Sequence, residues 1–322
     1  MSFYRERLPQ LSGGLFLTDG GLETTLVFHD GMDLPEFAAF TLLDHDEGRT
    51  RLSRYFQSYI DIAVRQGTGF ILESCTWRAS YDWGRKIGYS PEQVDLCNRR
   101  AIELLKELRS RADNAGVTMV ISGCMGPRGD GYVSDNMMSR GEAEEYHRPQ
   151  VQVLADSDAD MVSAFTMNYS SEAVGLTRAA QSVGIPVVIS FTLETDGSLP
   201  SGESLEEAIS AVDIATDHGP AYYMINCAHP SHFKHLFSNG RGWLERIGGM
   251  RANASALSHT ELDQAEELDD GNPEELGESY AELLRRLPRL NVLGGCCGTD
   301  TRHIEAISRA CEKRFNGNGG EA

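Results

Sequence analysis

No apolar run in this chain approaches the roughly 18 residues that mark a membrane-spanning helix. The N-terminal stretch also lacks the basic-then-apolar pattern of a secretory signal. Basic residues are scarce: 29 Lys and Arg stand against 48 Asp and Glu, a formal net charge of -19. That balance argues against nucleic acid, whose phosphates need a basic footprint. The acidic stretch from Glu261 through Glu278 resembles no calcium loop and reads as solvated surface or a mobile flap. A dinucleotide fingerprint is missing too. Gly123-Cys124-Met125-Gly126 has the wrong glycine spacing, and Asp19-Gly20-Gly21 has no later partner glycine. The seven cysteines are odd in number and widely spaced, which fits a reducing cytoplasm better than a secreted disulfide framework. These absences point to a cytoplasmic protein with no nucleic-acid or membrane partner.

What remains is an alternation of strand and helix signals without an internal linker. Apolar runs at 14–18, 70–73, 117–121, 160–165, 185–191, 221–226, 249–255 and 291–295 read as strands. Between and after them, 52–67, 91–114, 142–157, 172–183, 204–217, 274–286 and 301–315 read as helices. Pro149 is expected to kink or bound its helix. About eight such repeats in some 300 residues fit an α/β fold of the closed (β/α)8 barrel type. A doubly wound open sheet is the alternative, weakened by the missing fingerprint. The expected organisation is one barrel over residues 1–315 and a flexible tail over 316–322, rich in Gly and Asn.

Chemistry in such a barrel gathers at the C-terminal ends of the strands. Asp19, Thr76, Cys124, Thr166, Cys227, Asn253, Cys296 and Cys297 all fall there. Val292-Leu293-Gly294-Gly295-Cys296-Cys297-Gly298-Thr299-Asp300 carries two adjacent thiols, too close in sequence for an ordinary relaxed disulfide with each other. Adjacent thiols suit a soft metal, above all zinc. Cys227, which also ends an apolar run, is the best third ligand. A gap of about 70 residues is no zinc-finger spacing, but it is natural when two strands end at one rim. Cys97 and Cys311 read as buried bystanders, and Cys75 and Cys124 as thiols without a direct role.

Three protein ligands leave an open, catalytic position on zinc. Three thiolates give the site a net negative charge, poor for polarising a carbonyl or water. A thiol in the fourth position is another matter: zinc lowers its pKa and keeps it a nucleophile at neutral pH. The expected step is in-line displacement at a methyl group carried on a positively charged leaving group.

With these stretches in view, the sequence resembles the homocysteine S-methyltransferase family. That family includes betaine- and S-methylmethionine-dependent enzymes and the homocysteine-binding barrel of methionine synthase. The resemblance rests on Asp19-Gly20-Gly21 with Thr24, Gly123 to Gly131 with Gly126-Pro127, Asp196-Gly197 through Gly202 with Leu205-Glu206-Glu207-Ala208, Asn226-Cys227, Asn253, and Gly294 to Thr299. It spans nearly the whole chain. It implies a (β/α)8 barrel, one Zn2+ on Cys227, Cys296 and Cys297, a small-molecule thiol acceptor and methyl donor, and Asp19 near the bound amino acid. Asp19 and the three cysteines are then the catalytic set. Thr76, Trp77, Arg78, Thr166, Asn226 and Asn253, with Asp19, are the expected substrate contacts.

Two departures stand out against the family pattern. Thr166, in Ala164-Phe165-Thr166-Met167-Asn168-Tyr169, occupies the place of a glutamate that helps hold the amino group of homocysteine, and a hydroxyl cannot supply that charge-assisted bond. Glu73 or Asp19 is expected to compensate; otherwise the acceptor is a different thiol. Arg78 stands where betaine-dependent relatives carry a tyrosine. It disfavours a quaternary ammonium and suits a substrate carboxylate; the plainer reading has it ion-paired on the acidic surface. The expected activity is methyl transfer from a sulfonium, S-methylmethionine or S-adenosylmethionine, to L-homocysteine, giving methionine. The alternatives are a zinc-dependent hydrolase, which His229, His232 and His235 could serve, and a non-catalytic zinc scaffold.

Overall fold

A computed structural model describes residues 2–112, 115–237, 242–265 and 267–316. Eight parallel strands close into a barrel in sequence order: β1 (Phe16–Leu17), β2 (Gly69–Glu73), β3 (Met119–Met125), β4 (Met161–Met167), β5 (Val187–Thr192), β6 (Tyr223–Asn226), β7 (Ile247–Ala252) and β8 (Val292–Gly295). β1 pairs β8 through Phe16 with Val292 and Leu17 with Leu293, which closes the ring. The (β/α)8 expectation therefore holds. Both faces of such a sheet are covered, so the strands are nearly continuous in buried residues rather than alternating.

The helices follow their end signals. Ser90, Ser139, Ser204 and Ser258 each N-cap a helix in a full capping box with a Glu or Gln three residues on. Several boundaries differ from those read off the sequence. The helix Arg140–Asp156 runs unbroken across Pro149, so the proline forfeits a bond without ending it. Asp46–Gln66 starts a turn and a half before Leu52, because acidic Asp46 and Glu47 suit its N-terminus. The helix from Pro91 ends at Arg111, and Asn114 lies outside the described residues. β7 begins at Ile247 and stops at Ala252, which leaves Asn253 just past the strand end. The acidic stretch holds two helices, His259–Asp263 and Pro273–Leu284. Of the expected tail, 317–322 lie outside the described residues. No helix among the described residues is long and apolar enough to cross a membrane.

Inside the ring, one end is plugged. Leu8, Phe16, Ile71, Val120, Met161, Val188, Tyr222, Met224 and Val292 form an apolar cluster that reaches up to Cys124 and Phe165, with Trp77 packed against it. Phe3 and Tyr4 donate their backbone N–H groups to Asp160, which also takes Arg109 at 2.7 Å, so the N-terminal segment is tied to the start of β4. The polar layer sits towards the other end of the strands, where Glu73, Ser190, Asn226 and Arg251 stand at or near the strand ends.

Candidate metal centre and its mouth

β6 and β8 deliver the three cysteines to one rim, and the Sγ atoms of Cys227, Cys296 and Cys297 lie within 4.8 Å of one another. Structural and catalytic zinc sites take thiolate sulfur at about 2.3 Å, so three thiols converging at one rim are a donor set that suits that ion. The Cys227 and Cys296 sulfurs touch as a disulfide pair, with Cα atoms 5.4 Å apart, and Cys297 is a free thiol. Metal loading therefore requires the reduced pair, since thiolate is the ligand. No other residue joins this cluster among the described residues.

The backbone around the thiols is pinned. Cys296 donates its N–H to the Ala252 carbonyl at 2.8 Å and its own carbonyl accepts from the Thr299 N–H and hydroxyl. Ala254 donates to the Cys297 carbonyl at 3.0 Å. Gly298 then turns with φ +77°, where a side chain would be strained and a Cβ would meet the Asp269 carbonyl at 2.7 Å. Tyr280 bridges β7 and β8 by accepting from the Ala252 N–H and donating to the Gly294 carbonyl, both at 2.7 Å.

Asn226 is the hub on the other side. Its Oδ1 accepts from the Thr166 N–H at 3.0 Å and from the Ser190 hydroxyl at 2.6 Å. Its Nδ2 donates to Thr166 Oγ1 at 3.0 Å and to Cys227 Sγ at 3.2 Å. Because Oδ1 receives a backbone N–H, the amide orientation is fixed, and all four hydrogen-bonding positions are filled. Thr166 and Cys227, the two residues Asn226 grips, both have left-handed backbone, at φ +63° and +53°. Such strain in non-glycine residues persists where surrounding contacts over-determine it, and it clusters at functional sites.

Below the thiols lies a buried charge group. Arg251 pairs with Asp19 at 2.9 Å and donates to the carbonyls of Gly295 and Gly20, both at 2.9 Å. Tyr55 donates to Asp19 Oδ2 at 3.0 Å. Burial raises the Asp19 pKa, and Arg251 and Tyr55 pull it back. Burial works against the Arg251 charge, but Asp19 and Glu73 outweigh it and hold the guanidinium above its ordinary value. Glu73 accepts from Ser163 at 3.1 Å, leaves Oε2 without a partner, and is pushed up to about 7 by burial.

The mouth on the β2 side is built differently. Arg78 is not on the acidic surface: it is 7 % exposed and sandwiched between the rings of Trp77 at 3.9 Å and Trp83 at 3.6 Å. No ion pair forms to it among the described residues. Its Nη1 donates to the Gly129 carbonyl at 3.1 Å. The loop carrying Gly129 is held by Glu172, which accepts the Arg128 N–H, by Trp83 on the Pro127 carbonyl, and by Asn168 on the carbonyls of Asp130 and Val133. This loop places Gly131 where a Cβ would lie 2.5 Å from Thr166 and 3.6 Å from Trp77. It also sets the Tyr132 hydroxyl 3.9 Å from Cys297 Sγ.

The remaining expected residues divide. Thr76 is fully buried and donates to the Cys124 carbonyl at 2.7 Å, bracing the end of β3. Asn253 sits at the rim with a buried, unpartnered Oδ1. Cys75, Cys97, Cys124 and Cys311 are buried apart from the thiol cluster. His229 caps the short helix Pro230–Phe233 and His232 meets the Ala256 carbonyl at 2.9 Å, so these imidazoles serve loop structure instead of metal. Sequence reading missed Tyr55, Tyr132 and Arg251 as site groups. They lie on distant segments, and only the closed barrel brings them together.

A family model described as homocysteine S-methyltransferase matches residues 16–311. Homocysteine S-methyltransferase 1 of Arabidopsis thaliana is 24% identical, over 96% of this chain and 97% of that protein. Selenocysteine Se-methyltransferase of Brassica oleracea var. italica is also 24% identical, over 97% and 94%. Among solved structures, the homocysteine methyltransferase MmuM from Escherichia coli superposes in its oxidized form with a TM-score of 0.74 at 19% identity, covering 94% of this chain and 99% of that one. Its metallated form gives 0.69 at 20% identity, covering 92% and 96%. At that identity the structural likeness establishes the fold, and the family model carries the assignment. The chain belongs to the homocysteine S-methyltransferase family.

Proposed function

We propose that this protein is a zinc-dependent methyltransferase of the cytoplasm that moves a methyl group from a sulfonium, S-methylmethionine or S-adenosylmethionine, to L-homocysteine, yielding methionine. The observation that carries this reading is the convergence of Cys227, Cys296 and Cys297 within 4.8 Å at the barrel rim. Support also comes from the E. coli methyltransferase having been solved in a metallated form. When bound, zinc would lower the pKa of an acceptor thiol and hold it as a thiolate at neutral pH.

The chain's own residues supply position and exclusion of water. Asn226 donates to the Cys227 sulfur and so spreads its negative charge, while the Ser190 hydroxyl holds that amide in place. Burial raises the Cys297 thiol and the Tyr132 hydroxyl beside it lowers it, so a cation is what would keep it ionised. Arg251 ties the turn before Cys296 to the Asp19 turn through the Gly295 and Gly20 carbonyls. The acceptor sulfur attacks the methyl carbon in line, and the donor leaves as a neutral thioether.

A second reading, transfer to a thiol or selenol other than homocysteine, draws on Thr166. Its hydroxyl is already engaged by Asn226, and it offers no carboxylate to an ammonium. The test is zinc-edge X-ray absorption on the reduced zinc form, with and without L-homocysteine. The main reading expects three sulfurs and one light atom to become four sulfurs. Three sulfurs persisting at saturating homocysteine would sink it in favour of another acceptor.

A further inference from the structure

Two loops from opposite sides of the ring meet beside the thiols. Tyr132, in the loop after β3, and His259, in the loop after β7, stack with ring centroids 4.2 Å apart and planes tilted by 31°. Each ring is anchored through its own backbone. Tyr132 donates its N–H to Asp130 Oδ1 at 2.7 Å, and Asn168 holds the carbonyls on either side, Asp130 at 3.0 Å and Val133 at 3.2 Å. Ser134 adds a bond to the Pro200 carbonyl at 3.1 Å. His259 opens the helix His259–Asp263 behind the capping box of Ser258 and Glu261. Its Nε2 meets the Leu193 carbonyl at 3.2 Å, and a carbonyl only accepts, so Nε2 carries the proton. Burial holds this imidazole below its ordinary pKa, so the ring facing Tyr132 is the neutral one at neutral pH. One pair of rings thus joins the loops after β3, β5 and β7.

The join ends at a cysteine. The Tyr132 hydroxyl lies 3.9 Å from Cys297 Sγ, a long contact for a neutral thiol. As a metal ligand Cys297 is a thiolate with no proton to give, so the hydroxyl is the donor. A charged acceptor makes such a bond about twice as strong. Cys227 has its own counterpart in Asn226 Nδ2, at 3.2 Å. Asn226 is fixed by four hydrogen bonds within the barrel. A tyrosine on a loop must be aimed by packing instead, since its rotamer freedom is otherwise lost at the expense of the bond. His259 is the ring that packs against it.

We propose that Tyr132 donates a hydrogen bond to the Cys297 thiolate and that His259, stacked on its ring, is the positioning residue that holds the hydroxyl there. The proposal rests on the metal-centre reading for the charge on Cys297. It gives the three-thiolate set a second outer donor, brought by the loops, beside the one that Asn226 supplies from β6. Outer partners of this kind orient ligands and tune a bound metal.

The experiment titrates the reduced protein with Zn2+ against a competing chelator and, separately, with Co2+, whose sulfur-to-metal charge-transfer band reports the electron density on the thiolates. Neither homocysteine nor a methyl donor is present, so the result is independent of whether methyl transfer occurs. Tyr132→Phe keeps the ring and its stack and removes only the hydroxyl. It is expected to weaken Zn2+ about tenfold or more. The Co2+ band should move to longer wavelength, because a thiolate relieved of a hydrogen bond gives up electron density more easily. His259→Gln keeps an N–H for the Leu193 carbonyl and removes the ring. Although His259 touches no cysteine, this variant is expected to weaken Zn2+ about two- to tenfold, the weight of an aromatic pair, and to shift the band in the same direction. His259→Phe restores a ring and should recover most of that loss. In the Tyr132→Phe background His259→Gln should add nothing, since it acts only through the hydroxyl.

Parent-like zinc affinity and an unshifted band in Tyr132→Phe would overturn the proposed donor. An additive loss in the double variant, or His259→Phe as weak as His259→Gln, would mean that His259 only supports the loops, and would overturn its positioning role. In both cases the metal centre would stand. A parent protein that binds neither ion would instead bring down the metal centre and this inference with it.

Discussion

The two sides of the barrel mouth are finished to different degrees. Around the cysteines the named polar groups, Asn253 Oδ1 excepted, are answered from within the chain: Asn226 makes four hydrogen bonds, and the Cys296 carbonyl takes two. On the β2 side, Trp77 and Arg78 bury donors that nothing in the chain answers. A metal centre gains from ligands held in place before the ion arrives, because positions left to chance relax away from the productive geometry. A substrate pocket must keep some groups unmatched, since whatever the chain satisfies is no longer available to the ligand. On the function proposed above, the finished side would hold the resident group and the unmatched side would be free for a visitor.

The largest expected effect comes from breaking the finished side at its centre. Cys297→Ser should remove bound zinc and abolish turnover while the circular dichroism of the barrel stays that of the parent, because Cys297 contributes a donor rather than core packing. Metal content by mass spectrometry and methionine formation check it together. Full activity in that variant would refute the metal centre. Asn226→Asp is the next step down. It keeps the shape but loses the amide donors to Cys227 and Thr166, and brings a second negative charge beside a thiolate. Outer-shell substitutions of this kind cost about 10–100-fold in metal affinity, so a competition titration should read a loss in that range.

How far this contrast could be read from the chain alone follows from what each side depends on. The three cysteines and the strand rhythm are local signals: apolar runs ending in Cys227 and in Cys296-Cys297 place the thiols at strand ends before any coordinates exist. The barrel itself was legible for the same reason, since each strand and helix carries its own periodicity and caps. Arg78 was legible as a departure but not as a buried group. Its burial depends on Trp83, five residues on, folding back in the short helix Tyr81–Lys86, and on the Gly129 loop arriving from β3. Arg251 and Tyr55 reach Asp19 from 232 and 36 residues away, a closure that no local pattern encodes. Pro149 misled because a helix packed into this barrel tolerates the loss of one hydrogen bond.

Glu73 sharpens the comparison from beneath both sides. Burial raises its pKa from 4.5 to about 7, so folding favours the protonated acid. Its contribution to stability is therefore fullest below pH 4.5 and is lost as the pH rises through 7. Above that, the buried anion costs on the order of 3 kcal/mol. Glu73→Gln should abolish this slope: its melting temperature should match the parent near pH 4.5 and exceed it increasingly up to about pH 8. A constant offset across that range would show that Glu73 does not titrate in the folded barrel, and that Arg251 keeps it ionised throughout.

The smallest effect tests whether the orphan donors are kept for a ligand. Trp77→Phe removes the unpartnered Nε1–H and keeps an aromatic face against Arg78. The lost ring area disfavours the folded state, and the removed unpaired donor favours it by roughly 1–3 kcal/mol, so the ligand-free protein should melt within a few degrees of the parent. The ligand-bound protein should not follow. If that N–H reaches a substrate carboxylate, the rise in melting temperature at saturating L-methionine should shrink in the variant and leave the response to 3-(methylthio)propylamine unaltered, because only a carboxylate would use the missing donor. A variant that is clearly destabilised without ligand and responds normally to L-methionine would mean that the indole is there to pack Arg78 alone. The unmatched side of the mouth would then be strained without being specific.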